Sequence, residues 1–78
     1  MKLIKEYAGS YYGEDYIDGY DIKVEVESIG GRGFSFSIYV NDRLMYDDGW
    51  IGLTLREIKQ NLDKWIDISI NEYEDENY

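Results

Sequence analysis

The sequence predicts an α+β domain: an antiparallel sheet of three or four strands, a β-meander, with one C-terminal helix packed on one face. Three observations carry this expectation. Tyr20, Ile22, Val24 and Val26 alternate with Asp21, Lys23, Glu25 and Glu27, the period-two pattern of a strand with one buried face. Phe34, Phe36, Ile38 and Val40 alternate in the same way with Ser35, Ser37 and Tyr39 and run into Asn41-Asp42, a turn signal that makes a hairpin with the residues after it. Finally, Thr54-Leu55-Arg56-Glu57 is a capping box, in which the threonine oxygen and the glutamate carboxylate satisfy amides left open at a helix start.

Taken in order, residues 2–8 form a first strand, with Tyr7 and either Leu3 or Ile4 toward the core. Residues 9–19 show no regular period, and their three glycines punctuate a tyrosine-rich acidic stretch, so a loop or irregular hairpin connection is expected there. The Tyr20 strand follows, with an outer face that is mostly negative. Gly30-Gly31-Arg32-Gly33 then makes a tight connection. A phosphate-cradling loop would need a helix behind it, whereas Phe34 begins a strand. In the hairpin over residues 33–50, Leu44 and Tyr46 continue the apolar side, and Arg43, Met45 and Asp47 lie opposite.

Leu53 and Ile58 flank the capping box at the positions of a hydrophobic staple. Leu55, Ile58, Leu62, Trp65, Ile66, Ile70 and Tyr73 then share one helical face. Ile66, Ile68 and Ile70 alternate as a strand would, but Trp65 and Tyr73 fit only the helical phase, so a helix through about residue 70 is expected. The acidic end from about residue 72 has the composition of a frayed tail. Trp50 is assigned to the sheet side of the core and Trp65 to the helix side. Residues 1–78 make a single compact domain.

Composition narrows the chemistry. A chain of 78 residues buries only about 60% of the surface its unfolded form exposes, which leaves little room for an internal active site. It contains no cysteine and no histidine, so thiolate chemistry is excluded and the commonest general base and metal ligand is missing. No nucleophile and base pair stands out, and the expectation is a protein that is not an enzyme and needs no cofactor. The N-terminal residues return to charge after Leu3-Ile4, unlike the apolar core of a leader peptide, so a cytoplasmic location is expected.

Two acidic groups invite a metal or acid–base reading. Glu14, Asp15, Asp18 and Asp21 cluster around Gly19, but their spacing is not that of a calcium-binding EF-hand loop, and an ordinary solvated loop is the better account. Asp47-Asp48 are adjacent, so on an extended chain they point to opposite faces.

The distribution of acid says more. Seventeen acidic residues against eight basic ones give a formal charge of −9, which repels nucleic acid and anionic membranes and directs attention to a protein partner. Glu25 and Glu27 lie on one strand face about 7 Å apart, two strand rises. Asp63, Asp67 and Glu74 share a narrow sector of the helix if it continues, with Asp75 and Glu76 beyond. Arg56, Lys59 and Lys64 weight the helix start with positive charge, against the preference of the helix dipole. Nine tyrosines are more than one small core absorbs, and tyrosine beside carboxylate is an interface composition.

The hairpin GFSFSIYVNDRLMYDDGW, followed by TLRE with its helix and the ending EYEDENY, resembles the small acidic phage or mobile-element proteins that block bacterial defence, especially anti-CRISPR inhibitors. Several of those are compact α+β domains and some are DNA mimics. The resemblance implies a non-enzymatic inhibitor of a host nucleic-acid-binding defence complex, acting in the host cytoplasm if phage-encoded; it carries over no site residues. Exposed carboxylates imitate phosphate oxygens, so the expected partner is a protein with a basic nucleic-acid-binding surface. Glu25, Glu27, Asp63, Asp67, Glu74, Asp75 and Glu76 would supply the charge, and Tyr39 and Tyr78 the packing contacts. The alternative is a generic interaction module, either an immunity-type partner or a homodimer formed through a sheet edge. The protein itself is expected to be a monomer or a homodimer.

Overall fold

The computed structural model describes residues 1–76. Among the described residues five strands, β1 (Ile4–Tyr7), β2 (Ser10–Ile17), β3 (Tyr20–Ser28), β4 (Phe34–Val40) and β5 (Arg43–Asp47), precede one α-helix, α1 (Leu55–Glu76), and a single 3-10 turn, Gly30–Arg32, joins β3 to β4. The strands form one sheet in the order β1-β2-β3-β4-β5, and every neighbouring pair is antiparallel. The α+β meander with a C-terminal helix is as expected, and α1 lies against β4 and β5. The strand count is five rather than three or four.

The additional strand is β2, in the stretch expected as a loop or irregular hairpin connection. Its eight residues pair along their whole length with β3, from Ser10 opposite Glu27 to Ile17 opposite Tyr20. Neither face of β2 is uniformly apolar, because α1 does not reach over it. Tyr11, Gly13, Asp15 and Ile17 share the helix side, and residues 1–3 fill part of that space instead. Gly13 is buried there; a Cβ on it would stand 2.8 Å from Met1 Sδ and 3.1 Å from the Lys2 carbonyl oxygen. This glycine marks close packing inside a strand rather than a break between strands.

The core lies between sheet and helix. Ile22, Val24 and Val26 of β3 and Phe36, Ile38 and Val40 of β4 meet Ile58, Leu62, Ile66 and Ile70 of α1, all of them buried. The alternation of the two central strands and the helical spacing thus converge on one layer. Trp65 stacks on Phe36 with centroids 4.4 Å apart and rings 8° from parallel, and Tyr46 tilts against both. Ser69, buried within the helix, donates its hydroxyl hydrogen bond to the Trp65 carbonyl oxygen at 2.8 Å, so it leaves no unsatisfied donor.

Four local expectations are corrected. Tyr7 does not face the core: it is 66% exposed, while Leu3 is the residue that tucks inward. Leu44 is not on the apolar side, because a bulge between Ile38 and Tyr39 shifts the β4–β5 register. Leu44 therefore opposes Tyr39 on the outer face, whereas Tyr46 opposes Ile38 and Met45 packs at the core margin. Bulges do this because the extra residue inverts the alternation beyond it. Trp50 is not in the core at all, being 62% exposed. The helix does not end near residue 70 but runs to Glu76, held by Tyr73 edge-on against Tyr20 at 5.5 Å and by Arg43, whose Nη2 lies 2.7 Å from Glu76 Oε2.

The turns behave as their residues require. Asn41 and Asp42 both adopt positive φ, 49° and 68°, the conformation that suits a two-residue hairpin turn to strand twist. At the helix start, Thr54 Oγ1 accepts from the Glu57 amide at 3.1 Å, and Glu57 Oε1 accepts from the Thr54 amide at 3.2 Å. No helix among the described residues is long and apolar enough to cross a membrane.

Candidate binding surface

Directly opposed residues of antiparallel strands share a face, so the register defines the side of the sheet turned away from α1. β2 contributes Tyr12, Glu14 and Tyr16, β3 Asp21, Lys23, Glu25 and Glu27, and β4 Ser35, Ser37 and Tyr39. No helix or strand among the described residues covers this face, and a loop shelters only its Ser35 end, where Ser35 is buried.

Its two halves differ electrostatically. Near the β3 start, Lys23 Nζ donates to Asp42 Oδ1 at 2.8 Å and lies 4.0 Å from Glu14 Oε2. The Tyr12 hydroxyl donates to the same Glu14 carboxylate at 2.9 Å. The hydrogen bond to Asp42 raises the Lys23 pKa, with the Asp42 charge adding to it and partial desolvation opposing. The Tyr12 pKa is raised chiefly by its hydrogen bond to Glu14. In that half the single cation, Lys23, offsets one of the three charges of Glu14, Asp21 and Asp42 and draws two of those carboxylates to itself.

The other half has no cation on its strands. Glu25 and Glu27 make neither an ion pair nor a hydrogen bond among the described residues. They line a cleft of about 80 Å³ together with Ser35, Ser37 and Trp50. Ser35 opposes Glu27 and Ser37 opposes Glu25, so the cleft floor is a patch of two carboxylates and two hydroxyls. Trp50 forms its wall from a loop that returns alongside β4: Phe34 and Leu53 exchange backbone hydrogen bonds of 2.7 and 2.9 Å.

That loop is tightly specified. Gly52, at φ 85°, sits so near the Arg32 carbonyl oxygen that a Cβ would come within 2.1 Å of it, so only glycine fits. Arg32 Nη2 donates to the Trp50 carbonyl oxygen at 3.2 Å. Asp48 Oδ1 accepts from Ser35 Oγ at 2.8 Å, from the Phe36 amide at 3.3 Å and from the Trp50 amide at 3.4 Å. Its Oδ2 is buried without a hydrogen-bond partner among the described residues. A third carboxylate thus stands behind the cleft through Ser35.

The remaining acidic candidates lie on the helix side. Asp63 is exposed and 3.7 Å from the Met1 amine, and Asp67 and Asp75 are exposed. Glu74 is half-buried and accepts from the Tyr20 hydroxyl at 3.0 Å, while Glu76 is paired with Arg43. The structure therefore gathers Glu25, Glu27 and, further along the same face, Tyr39; Asp63, Asp67, Glu74, Asp75 and Glu76 form a separate zone across the sheet. Tyr78 lies outside the described residues. No group of three acidic side chains among the described residues is arranged to hold a metal ion.

Trp50, Ser35 and Ser37 are not among the site residues expected from the sequence, and Asp48 enters there only as half of an adjacent acidic pair. One signal was present: Trp50 sits between Gly49 and Gly52 in a turn-rich segment, a context that favours a displayed aromatic over a core one. No family model matches this chain, no curated protein matches it, and no solved structure matches it.

Proposed function

We propose that this protein is a non-enzymatic binding domain that occupies a basic, nucleic-acid-binding surface of a protein partner, in the manner of an anti-defence inhibitor that mimics nucleic acid. The observation that carries the reading is the unpaired Glu25 and Glu27 pair on an uncovered sheet face beside an exposed tryptophan. Two neighbouring carboxylates without a cation destabilise the isolated domain slightly, and a basic partner turns that cost into attraction. The overall charge of −9 raises the encounter rate with such a partner and repels free nucleic acid.

Capture from a lysate, with and without nuclease, identifies the partner; mimicry requires it to bind DNA or RNA and to lose that binding when the inhibitor is present. Its complex should weaken by tenfold or more from about 0.1 M to about 1 M salt, as the Debye length falls from about 10 Å to about 3 Å. Charge reversal by Glu25→Lys with Glu27→Lys should cost more affinity than Asp63→Lys with Asp67→Lys. A partner indifferent to nucleic acid ends the mimicry reading.

A second reading, an interaction module that works by edge pairing, draws on the exposed Ile4 and Tyr7 of β1. That edge is short and irregular in register, and it carries Lys5 and Glu6. Those are features that oppose strand addition, so mimicry through the open face is the better-supported proposal.

A further inference from the structure

We infer that the cleft under Trp50 is an arginine socket: the uncovered face anchors its partner by taking one arginine side chain between Glu25, Glu27 and the Trp50 indole. This deepens the mimicry reading by naming the group on the partner that is recognised. The occupant follows from size, charge and shape. A cleft of about 80 Å³ has room for two or three water-sized groups, at about 30 Å³ each, and falls well below the several hundred Å³ of a cofactor pocket. Its lining of two unpaired carboxylates and two serine hydroxyls, backed by Asp48 through Ser35, accepts hydrogen bonds and favours a cation.

Metal and lysine fit less well. The acidic side chains here are not arranged to hold a metal ion. An ammonium is a compact, strongly hydrated point charge, whereas a guanidinium is planar, more weakly hydrated and carries donors on several sides. Glu25 and Glu27, about 7 Å apart by strand spacing, bracket a group of that width. The exposed indole offers the flat face on which a guanidinium stacks, and tryptophan is the strongest aromatic partner for a cation. Arg32 does not fill the site from within, because its guanidinium is turned to the Trp50 carbonyl oxygen. That contact fixes the wall of the cleft.

The test uses the intact protein and two peptides of equal charge, hexa-arginine and hexa-lysine, followed by the two indole N–H resonances, with Trp50→Phe assigning which is which. The socket requires the Trp50 resonance to shift saturably with hexa-arginine while Trp65 stays still, and hexa-lysine to bind at least fivefold more weakly. Glu25→Gln with Glu27→Gln should weaken hexa-arginine at least tenfold, and Trp50→Ala, which lacks the reporting indole and is followed by titration calorimetry beside the parent protein, similarly, with the Trp65 resonance unchanged in each variant to show that the fold persists. Equal binding of both peptides, or an equal loss from Asp63→Asn with Asp67→Asn, overturns the socket. The two proposals fail separately. A nucleic-acid-binding partner whose capture is unaffected by Trp50→Ala leaves mimicry standing without the socket, and selective arginine binding with a partner indifferent to nucleic acid leaves the socket without mimicry.

Discussion

Two aromatic side chains show what a single residue decides. Phe36 is buried and lies flat against Trp65, so Phe36→Ala removes a ring from both sheet and helix contacts at once. A loss of about 3–5 kcal/mol is expected by urea denaturation, the range for deleting a buried phenylalanine. Trp50, by contrast, is displayed, and its neighbours in sequence explain why the two tryptophans were not separable by hydrophobicity alone. Trp65 had a helical phase to vouch for it, and Trp50 had none.

Lys23 gives the residue scale its pH dependence. Its pKa is raised above the ordinary lysine value, first by the hydrogen bond to Asp42, so the folded state holds this proton more tightly than the unfolded chain. The stabilisation is complete below the ordinary lysine pKa and disappears as pH rises through the raised one. Tyr12, raised by Glu14, acts in the same direction. The melting temperature should therefore fall less steeply above about pH 10 in Lys23→Met than in the parent protein. Parallel profiles for the two would show that the Asp42 contact contributes nothing in solution.

At the scale of elements, the strongest local signals in the sequence were also the correct ones. Thr54 and Glu57 cap α1 reciprocally, and Thr54→Ala should cost about 1 kcal/mol by chemical denaturation; the loss of helicity would concentrate at the first turn. The alternation of β3 and β4 was legible because each strand has α1 on one side and an uncovered face on the other. β2 was illegible because α1 does not extend over it and a buried glycine takes the place of an apolar side chain. Gly13→Val should dislodge Met1 and Leu3 from the sheet, and about 1–3 kcal/mol of destabilisation is expected from overpacking. The β4–β5 bulge was equally hidden, since nothing in Arg43-Leu44-Met45-Tyr46 reveals where the register steps.

For the whole molecule, the sequence revealed the quantity of negative charge and not its division. Glu25 and Glu27 were placed correctly on an outer strand face, and Asp63 and Asp67 on a helix surface, but only the folded chain puts a sheet and its core between them. The residues that complete the cleft on the acidic face, Trp50 and the serines opposite, come from separate segments of the sequence. A pattern reading cannot join them because the joining is done by the Phe34–Leu53 backbone pairing.

The charge order along α1 has a consequence for how the molecule meets another. The first half of α1 sets Arg56, Lys59 and Lys64 against Glu57 and Asp63, while the second carries Asp67, Glu72, Glu74, Asp75 and Glu76 and no base, so the net side-chain charge runs from slightly positive to strongly negative in the same sense as the peptide dipoles. The helix lies along the sheet, and the resulting vector lies within the layer, not across it. Near a charged surface it acts as a compass needle: it does not choose which face is offered, but it fixes the heading of that face as it lands. Beside a surface whose potential rises along its length, the acidic end of α1 would turn toward the more positive end before any side chain makes contact.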